Sequence, residues 1–363
     1  MVPLAWLMAA TIGPSRPSGA ADATRIADAL RWAPMDGVGL RLLAEGAQKE
    51  ERPAKAAALA RLGGQLGWRD SRTQMLLLDD TLRREDVYAA LRHADALLRR
   101  KPDRGGPMLR MFHVAASDEA GRGAVLERLM AAPLWRAAFF QDMSLLAPQD
   151  WAGHESILRT LAARRNIDLR KEVVPFVRHL VAQGDYVHAR DLWLATAGLS
   201  PALLLDGDFA QTARQRTIGR LSPFEWRIGK VANIEVGLVN AASGMTGLRI
   251  RTGGNAFGSL VSQMVVLAPG RYILSAGASL SGPLRSGTLG WALICVPSGR
   301  RISLPMLQAG MPEAGRVGWS IAIPETGCLL QQLVLQVRRM TNEGAVDLVL
   351  DHARIEPTGD AHE

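Results

Sequence analysis

A handful of residues have types and spacings that could do chemistry. Asp206-Gly207-Asp208, within LLLDGDFAQ, has the Asp-x-Asp form that can hold a divalent cation, although in a strand-opening turn it reads as structural. The seven histidines contain no His-x-x-x-His pair, and Cys295 and Cys328 are too far apart for a Cys-x-x-Cys clip, so no metal centre is expected. No Gly-x-Ser-x-Gly elbow and no Gly-x-x-x-x-Gly-Lys phosphate loop occurs. What remains suits non-covalent contact with a polyhydroxylated ligand. Aromatic faces lie against C–H surfaces, while amides and guanidinium groups take hydroxyls or acidic groups. Trp226, Trp291, Trp319, Phe257 and Asn255 are the candidates, with Arg249 and Arg251 for acidic sugars. Trp226 and Trp291 sit in strand contexts and are expected in a core. Phe257 and Asn255, in the glycine-rich TGGNAFGSL, are expected at the surface, and Trp319, in RVGWSIAIP, suits either place.

Two different periodicities must position these residues. Up to about residue 199 the chain is rich in Ala, Leu and Arg, with apolar residues at helical spacing. Leu77 and Leu78 mark one helix and Ala90, Ala94, Leu97 and Leu98 a second, after a turn at Arg84-Glu85-Asp86. An offset of thirty-four residues relates Pro34 to Trp68, Trp68 to Pro102, Leu43 to Leu77 and Ala56 to Ala90. Further on, Val173, Phe176, Val177, Leu180 and Val181 form one stripe. Gly184-Asp185 makes the turn, and Tyr186, Ala189 and Trp193 face back. Helix–turn–helix units of this length resemble the tetratricopeptide repeat over about two thirds of residues 24–199, with degenerate units between. The resemblance implies a solenoid with a concave groove that docks a protein partner; a plain helical spacer is the alternative.

After Leu205 the period changes from 3.6 to 2. TGLRIRT, LVSQMVVL, RYILSAGAS and AVDLVLDHARI alternate and are bounded by Gly, Pro or Asn, as in an antiparallel β-sandwich. Asp206 is expected to open the first strand, and Ala268-Pro269-Gly270 to form a tight reversal between two strands. Residues 203–357 resemble the carbohydrate-binding-module and galactose-binding-like jelly rolls, through Gly207, Phe209, Trp226, Pro269, Gly270, Tyr272 and Asp351. In relatives an acid after the phenylalanine and the last-strand aspartate help to hold a structural calcium. Here Ala210 stands in the first place and His352 beside Asp351, so no metal is expected, with Asp208 as the one substitute. A Pro-x-Trp-Arg-x-x-Phe segment (Pro133, Trp135, Arg136, Phe139) followed by a two-cysteine jelly roll is also similar to a set of alphaproteobacterial proteins from exopolysaccharide gene neighbourhoods.

The expected organisation is therefore a leader (1–23), a tetratricopeptide-like helical domain (24–199), a β-sandwich of the jelly-roll type (200–357) and a tail (358–363). The net charge of +8 is spread over both halves, with 28 cations against 23 acids up to residue 200 and 15 against 12 after it. That spread excludes the dense basic face of a nucleic-acid binder. The apolar start MVPLAWLMAATIG, followed by Ala21-Asp22-Ala23, reads as a signal peptide, a clipped membrane anchor or a tail. Cys295 and Cys328 both fall in the β half, as a single structural disulfide would; two buried thiols are the alternative. The expected function is a cofactor-free, non-catalytic adaptor of the periplasm or cell surface. Its helices would dock a protein, and its jelly roll would contact polysaccharide, which could be acidic, in exopolysaccharide synthesis, export or attachment. A protein scaffold with no sugar binding, or an unrecognised glycan-active enzyme, are the alternatives.

Overall fold

A computed structural model describes residues 20–67, 69–100, 105–141, 146, 150–164, 169–214, 221–240, 244, 246–252, 257–281, 289–307, 314–337 and 346–358. The chain divides into two compact units between Glu172 and Val173. The fold class is α followed by β: helices fill the first half and a sandwich of two antiparallel sheets the second. Of the expected leader, residues 1–19 lie outside the described residues, as does the tail from 359 on. No described helix is long and apolar enough to cross a membrane.

The first unit holds α1 (Ala20–Trp32), α2 (Gly37–Lys49), α3 (Pro53–Leu66), α4 (Ser71–Arg83), α5 (Val87–Arg100), α6 (Gly106–Ser117), α7 (Glu119–Met130), α8 (Arg136–Gln141) and α9 (Trp151–Ala162). The offset of thirty-four recurs in the helix starts, from Gly37 to Ser71 and from Pro53 to Val87. Asp36, Asp70 and Asp118 accept N–H groups from the first turns of α2, α4 and α7, so three of these helices start at side-chain caps. Small residues let the helices approach: Ala44 and Ala60 are fully buried and pack with Leu77. The turns repeat too. Glu51 and Glu85 both adopt φ +57°, the left-handed geometry that Gly184 takes with φ +85° in a later helical turn.

The helix α10 (Arg170–Ala182) straddles the division, and α11 (Tyr186–Ala197) lies in the second unit. Together they bury Val174, Phe176, Val177, Leu180 and Trp193. Two arginines fasten this hairpin within its unit, Arg178 to the carbonyl of Leu221 (2.8 Å) and Arg190 to that of Val266 (3.3 Å).

A one-turn helix α12 (Ala210–Arg214) precedes ten strands: β1 (Arg227–Ile228), β2 (Ile234–Asn240), β3 (Thr246–Thr252), β4 (Gly258–Val265), β5 (Gly270–Ser281), β6 (Leu289–Cys295), β7 (Arg301–Met306), β8 (Ala314–Ile323), β9 (Gln331–Val337) and β10 (Val346–Pro357). One sheet runs β1-β4-β9-β6-β7 and the other β2-β3-β10-β5-β8. Alternation sends Leu248, Ile250, Leu274, Ala276, Leu348 and Leu350 of the second sheet inward against Leu293, Leu333 and Leu335 of the first. Phe209, Trp226 and Trp291 form an aromatic ladder in that core, with ring centroids 5.3 and 6.2 Å apart. Cys295 and Cys328 are joined by a disulfide.

Two expectations are corrected here. Asp206 does not open a strand. Its carboxylate accepts from the backbone N–H groups of Gln211 and Thr212 (2.8 Å each) and from the Thr212 hydroxyl, so these local bonds wind the chain into α12 instead. The segment still docks on the sandwich through Gly207. The Gly207 carbonyl accepts from the Ala353 N–H (2.9 Å), and a Cβ there would stand 1.9 Å from the Ala353 carbonyl oxygen. The Ala268-Pro269-Gly270 turn joins strands of different sheets, not a hairpin, and the Tyr272 hydroxyl donates to the Ala268 carbonyl across it (2.9 Å).

Candidate functional site

Strand registers bring Thr252, Ser281, Ala314 and Val346 of one sheet and Gly258, Leu289, Met306 and Val337 of the other to one end of the sandwich. At this end the outward face of the β2-β3-β10-β5-β8 sheet carries a charged cluster. Arg249 and Asp347 meet from strands nearly a hundred positions apart, brought together by the β3–β10 pairing. The guanidinium donates through Nε to both carboxylate oxygens (2.9 and 3.1 Å) and through Nη2 to Oδ2. Arg251 stands 3.7 Å from Asp347 and 3.8 Å from Glu235. The hydrogen bond from Arg249 holds the Asp347 carboxyl below the usual carboxylate range, and the same bond raises Arg249. Two cations and two anions therefore offset one another.

Beyond the cluster the same face mixes glycine and serine with larger side chains: Val239 on β2, Ile273 on β5, Arg316 on β8 and Val349 and Arg354 on β10 also point outward. Its outward positions include Gly237 on β2, Gly247 on β3, Ser275, Gly277 and Ser279 on β5, and Gly318 and Ser320 on β8. Gly277 has a specific reason to lack a side chain: Asp351 of β10 folds over it, and a Cβ would meet its Oδ1 at 1.9 Å. Guanidinium N–H groups and carboxylate oxygens of the cluster can take the hydroxyls of a ligand laid on this face.

The remaining candidates divide. Phe257 is 79% exposed and begins β4 at this same end. Asn255 lies outside the described residues. Trp319 is buried in the core at 3% exposure, paired with Leu274 on the inward face of β8, so its ring offers nothing to a ligand. Trp226 and Trp291, expected in the core, are there at 1% exposure each, and the Trp226 indole donates to the Asp206 carbonyl (2.9 Å). Among the described residues no aromatic strip lies on either sheet.

In the helical unit the fold assembles polar pairs that the sequence kept apart. His113 and His154 are buried, and Nδ1 of His113 lies 2.8 Å from Nε2 of His154, with Phe139 stacked on both rings. Nδ1 of His154 sits 3.0 Å from the Asp150 carbonyl, which can only accept. His154 therefore carries its proton on Nδ1, leaving Nε2 to accept from His113, and both rings are neutral. Burial lowers both, His113 to about 3, reinforced by the neighbouring His154. The Trp135 indole donates to buried Asp95 (2.8 Å), and Arg136 pairs with buried Glu172 (2.7 Å). The Pro-x-Trp-Arg-x-x-Phe segment is thus a clamp that touches four helices, α5, α6, α9 and α10. Among the described residues no group of three or more His, Cys, Asp or Glu side chains could hold a metal ion.

No protein-family model matches the sequence, and no curated protein matches it. Among the solved structures similar to the C-terminal part are several carbohydrate-binding modules and an enzymatically active domain of a bacteriophage CBA120 tailspike protein. One is a family 61 module in complex with β-1,4-galactotriose, 16% identical, covering 44% of this chain and all of that one, with a TM-score of 0.30. Another is the C-terminal family 22 module of Clostridium thermocellum Xyn10B, 20% identical over 38% of this chain and 92% of the other, with a TM-score of 0.28. A third is the xylan-binding CBM22-1 domain of Paenibacillus barcinonensis Xyn10C, 13% identical over 38% and 87%, with a TM-score of 0.27.

Proposed function

We propose that the β unit binds a polysaccharide on the outward face of its β2-β3-β10-β5-β8 sheet and does not cleave it. One observation carries this reading: the Arg249–Asp347–Arg251–Glu235 cluster stands on the outward sheet face at the end where Phe257 is exposed. Hydroxyl groups can donate to carboxylate oxygens and accept from guanidinium N–H groups without either charge being stripped of its partner. The cluster's own four charges cancel, so its groups suit the hydroxyls of neutral sugars as well as acidic ones. Phe257, exposed at the same end, supplies a ring for stacking.

The helical unit is the part we assign to a protein partner, because Trp32, Met35 and Val38 of the α1–α2 region are more than half exposed. The disulfide supports an oxidising location, periplasm or cell surface. The setting in exopolysaccharide synthesis, export or attachment rests on the sequence resemblance alone.

Retention on polysaccharides from bacterial envelopes tests the sugar reading. Asp347→Ala should weaken retention about tenfold, equivalent to 1.4 kcal/mol, with little change in melting temperature, since the pair is partly exposed and lies outside the core. Phe257→Ala should act in the same direction. Wild-type protein that is retained by no polysaccharide would replace this reading with a protein scaffold.

A further inference from the structure

The sandwich has one side that its own strands leave open. Of the four strands at sheet edges, β1 and β7 belong to one sheet and β2 and β8 to the other. β1 is two residues long, and β7 carries Pro305 and an irregular register, so neither offers a continuous ladder. β8 lies against β7 of the facing sheet, which closes that side. β2 differs from all three. Its seven residues, IEVGLVN, pair with β3 in unbroken register from Ile234 to Asn240, and they include no proline and no cation. Among the described residues no strand lies beyond it. The inward side chains of Ile234, Val236 and Leu238 pack on the core yet stay only half-buried, because β1 on the facing sheet is too short to cover them. Gly237, at the middle of the strand, points outward, and a Cβ there would meet nothing within 4 Å, so a second backbone has room to approach.

A regular, apolar edge is a template for another extended chain. We infer that β2 pairs with β2 of a second copy of this chain, antiparallel and about a two-fold axis, joining two five-stranded sheets into one of ten. A seven-residue strand overlaps its own copy fully only when its middle residue, Gly237, lies on the axis. That register keeps each face matched to its like, as the two-residue period requires. Val236 comes opposite Leu238 of the partner subunit, and the same pair recurs across the axis, so the half-buried apolar residues cover one another. Glu235, the only charge on the strand, comes opposite Val239 of the partner subunit. The two Glu235 carboxylates then stand about 13 Å apart along the strands and do not face each other. Both outward sheet faces end on the same side of the joined sheet.

Sedimentation of the full chain over a dilution series tests the inference. Wild-type protein should pass from a species of twice the chain mass to a monomer on dilution. Val239→Glu sets a new carboxylate opposite each Glu235 and should raise the dimer Kd at least tenfold, while the circular-dichroism melt of the diluted monomer stays unchanged. Val239→Lys meets the same glutamates with opposite charge and should leave the Kd unchanged or lower it. A monomer at every concentration would leave the edge to some other strand and overturn the inference. So would a dimer that Val239→Glu does not weaken, or one that Val239→Lys weakens equally. Polysaccharide retention by the diluted monomer is read separately, so the sugar reading stands or falls on its own.

Discussion

The two units solve the same problem by opposite means. The β unit closes its core with apolar and aromatic side chains and a covalent bond between Cys295 and Cys328. The helical unit stitches its helices with buried polar pairs: His113–His154, Asp95–Trp135, Arg136–Glu172 and His93–Gln74. Stacked helices with small residues at their crossings bury less apolar area per contact, so directional bonds must fix which helix meets which. A sandwich fixes its partners through ladder hydrogen bonds and can leave its core apolar. Acid should therefore weaken the helical unit, and reductant the β unit.

The largest expected effect is in the aromatic ladder. Trp226→Ala removes a ring packed between Phe209 and Trp291 and should cost about 3–5 kcal/mol, seen as a lower β-unit transition with the helical signal at 222 nm retained. Trp319→Ala should behave alike, because it too is core; a variant that keeps its melting temperature but loses ligand would reverse that assignment. Next comes the disulfide. The bridge spans 33 positions, and reducing it should cost about 3–4 kcal/mol in the β unit alone. A helical transition that moves equally would mean the units do not melt independently.

Acidity should strike the other unit. Burial holds His113 at about 3 and His93 at about 4 in the folded chain, against an ordinary histidine value of 6.5. The unfolded chain therefore binds more protons between these limits, and the helical unit's stability, full above pH 6.5, falls as pH drops towards 4. In the β unit desolvation raises Asp206, which works the other way: folding favours its protonated form as pH falls. Melting curves at 222 nm from pH 7 to 4 check this, and His113→Phe should flatten the dependence.

Smaller effects sharpen where the units meet and how the helices turn. A domain boundary at 199/200 stays our proposal from the period change. Fragment 200–363 lacks the bonds from Arg178 and Arg190 to Leu221 and Val266, so fragment 170–363 should melt several degrees higher. Equal midpoints would assign the hairpin no part in holding the sandwich. The smallest change is Glu85→Gly, which removes a side chain from a left-handed position and should gain up to about 1 kcal/mol in the helical unit.

Periodicity alone determined the class of each half. The paired helices, the turn at Arg84–Asp86, the strands after residue 226 and the core place of Trp226 and Trp291 were legible, because local spacing and hydrophobicity set them, while the pairing of Cys295 with Cys328 was one of two readings left open. Tertiary structure decided the rest. Alternation tells a strand it has two faces but not which one the opposite sheet will cover, and Trp319 was covered. Asp206 could have begun a strand or capped a helix, and two backbone N–H groups within its reach made it a cap. Arg249 became half of a charge-balanced pair only when β10 returned beside β3 with Asp347. His113 met His154, and Asp95 met Trp135, through packing between helices remote in sequence. Such contacts depend on the register between elements, which a single strand or helix does not encode.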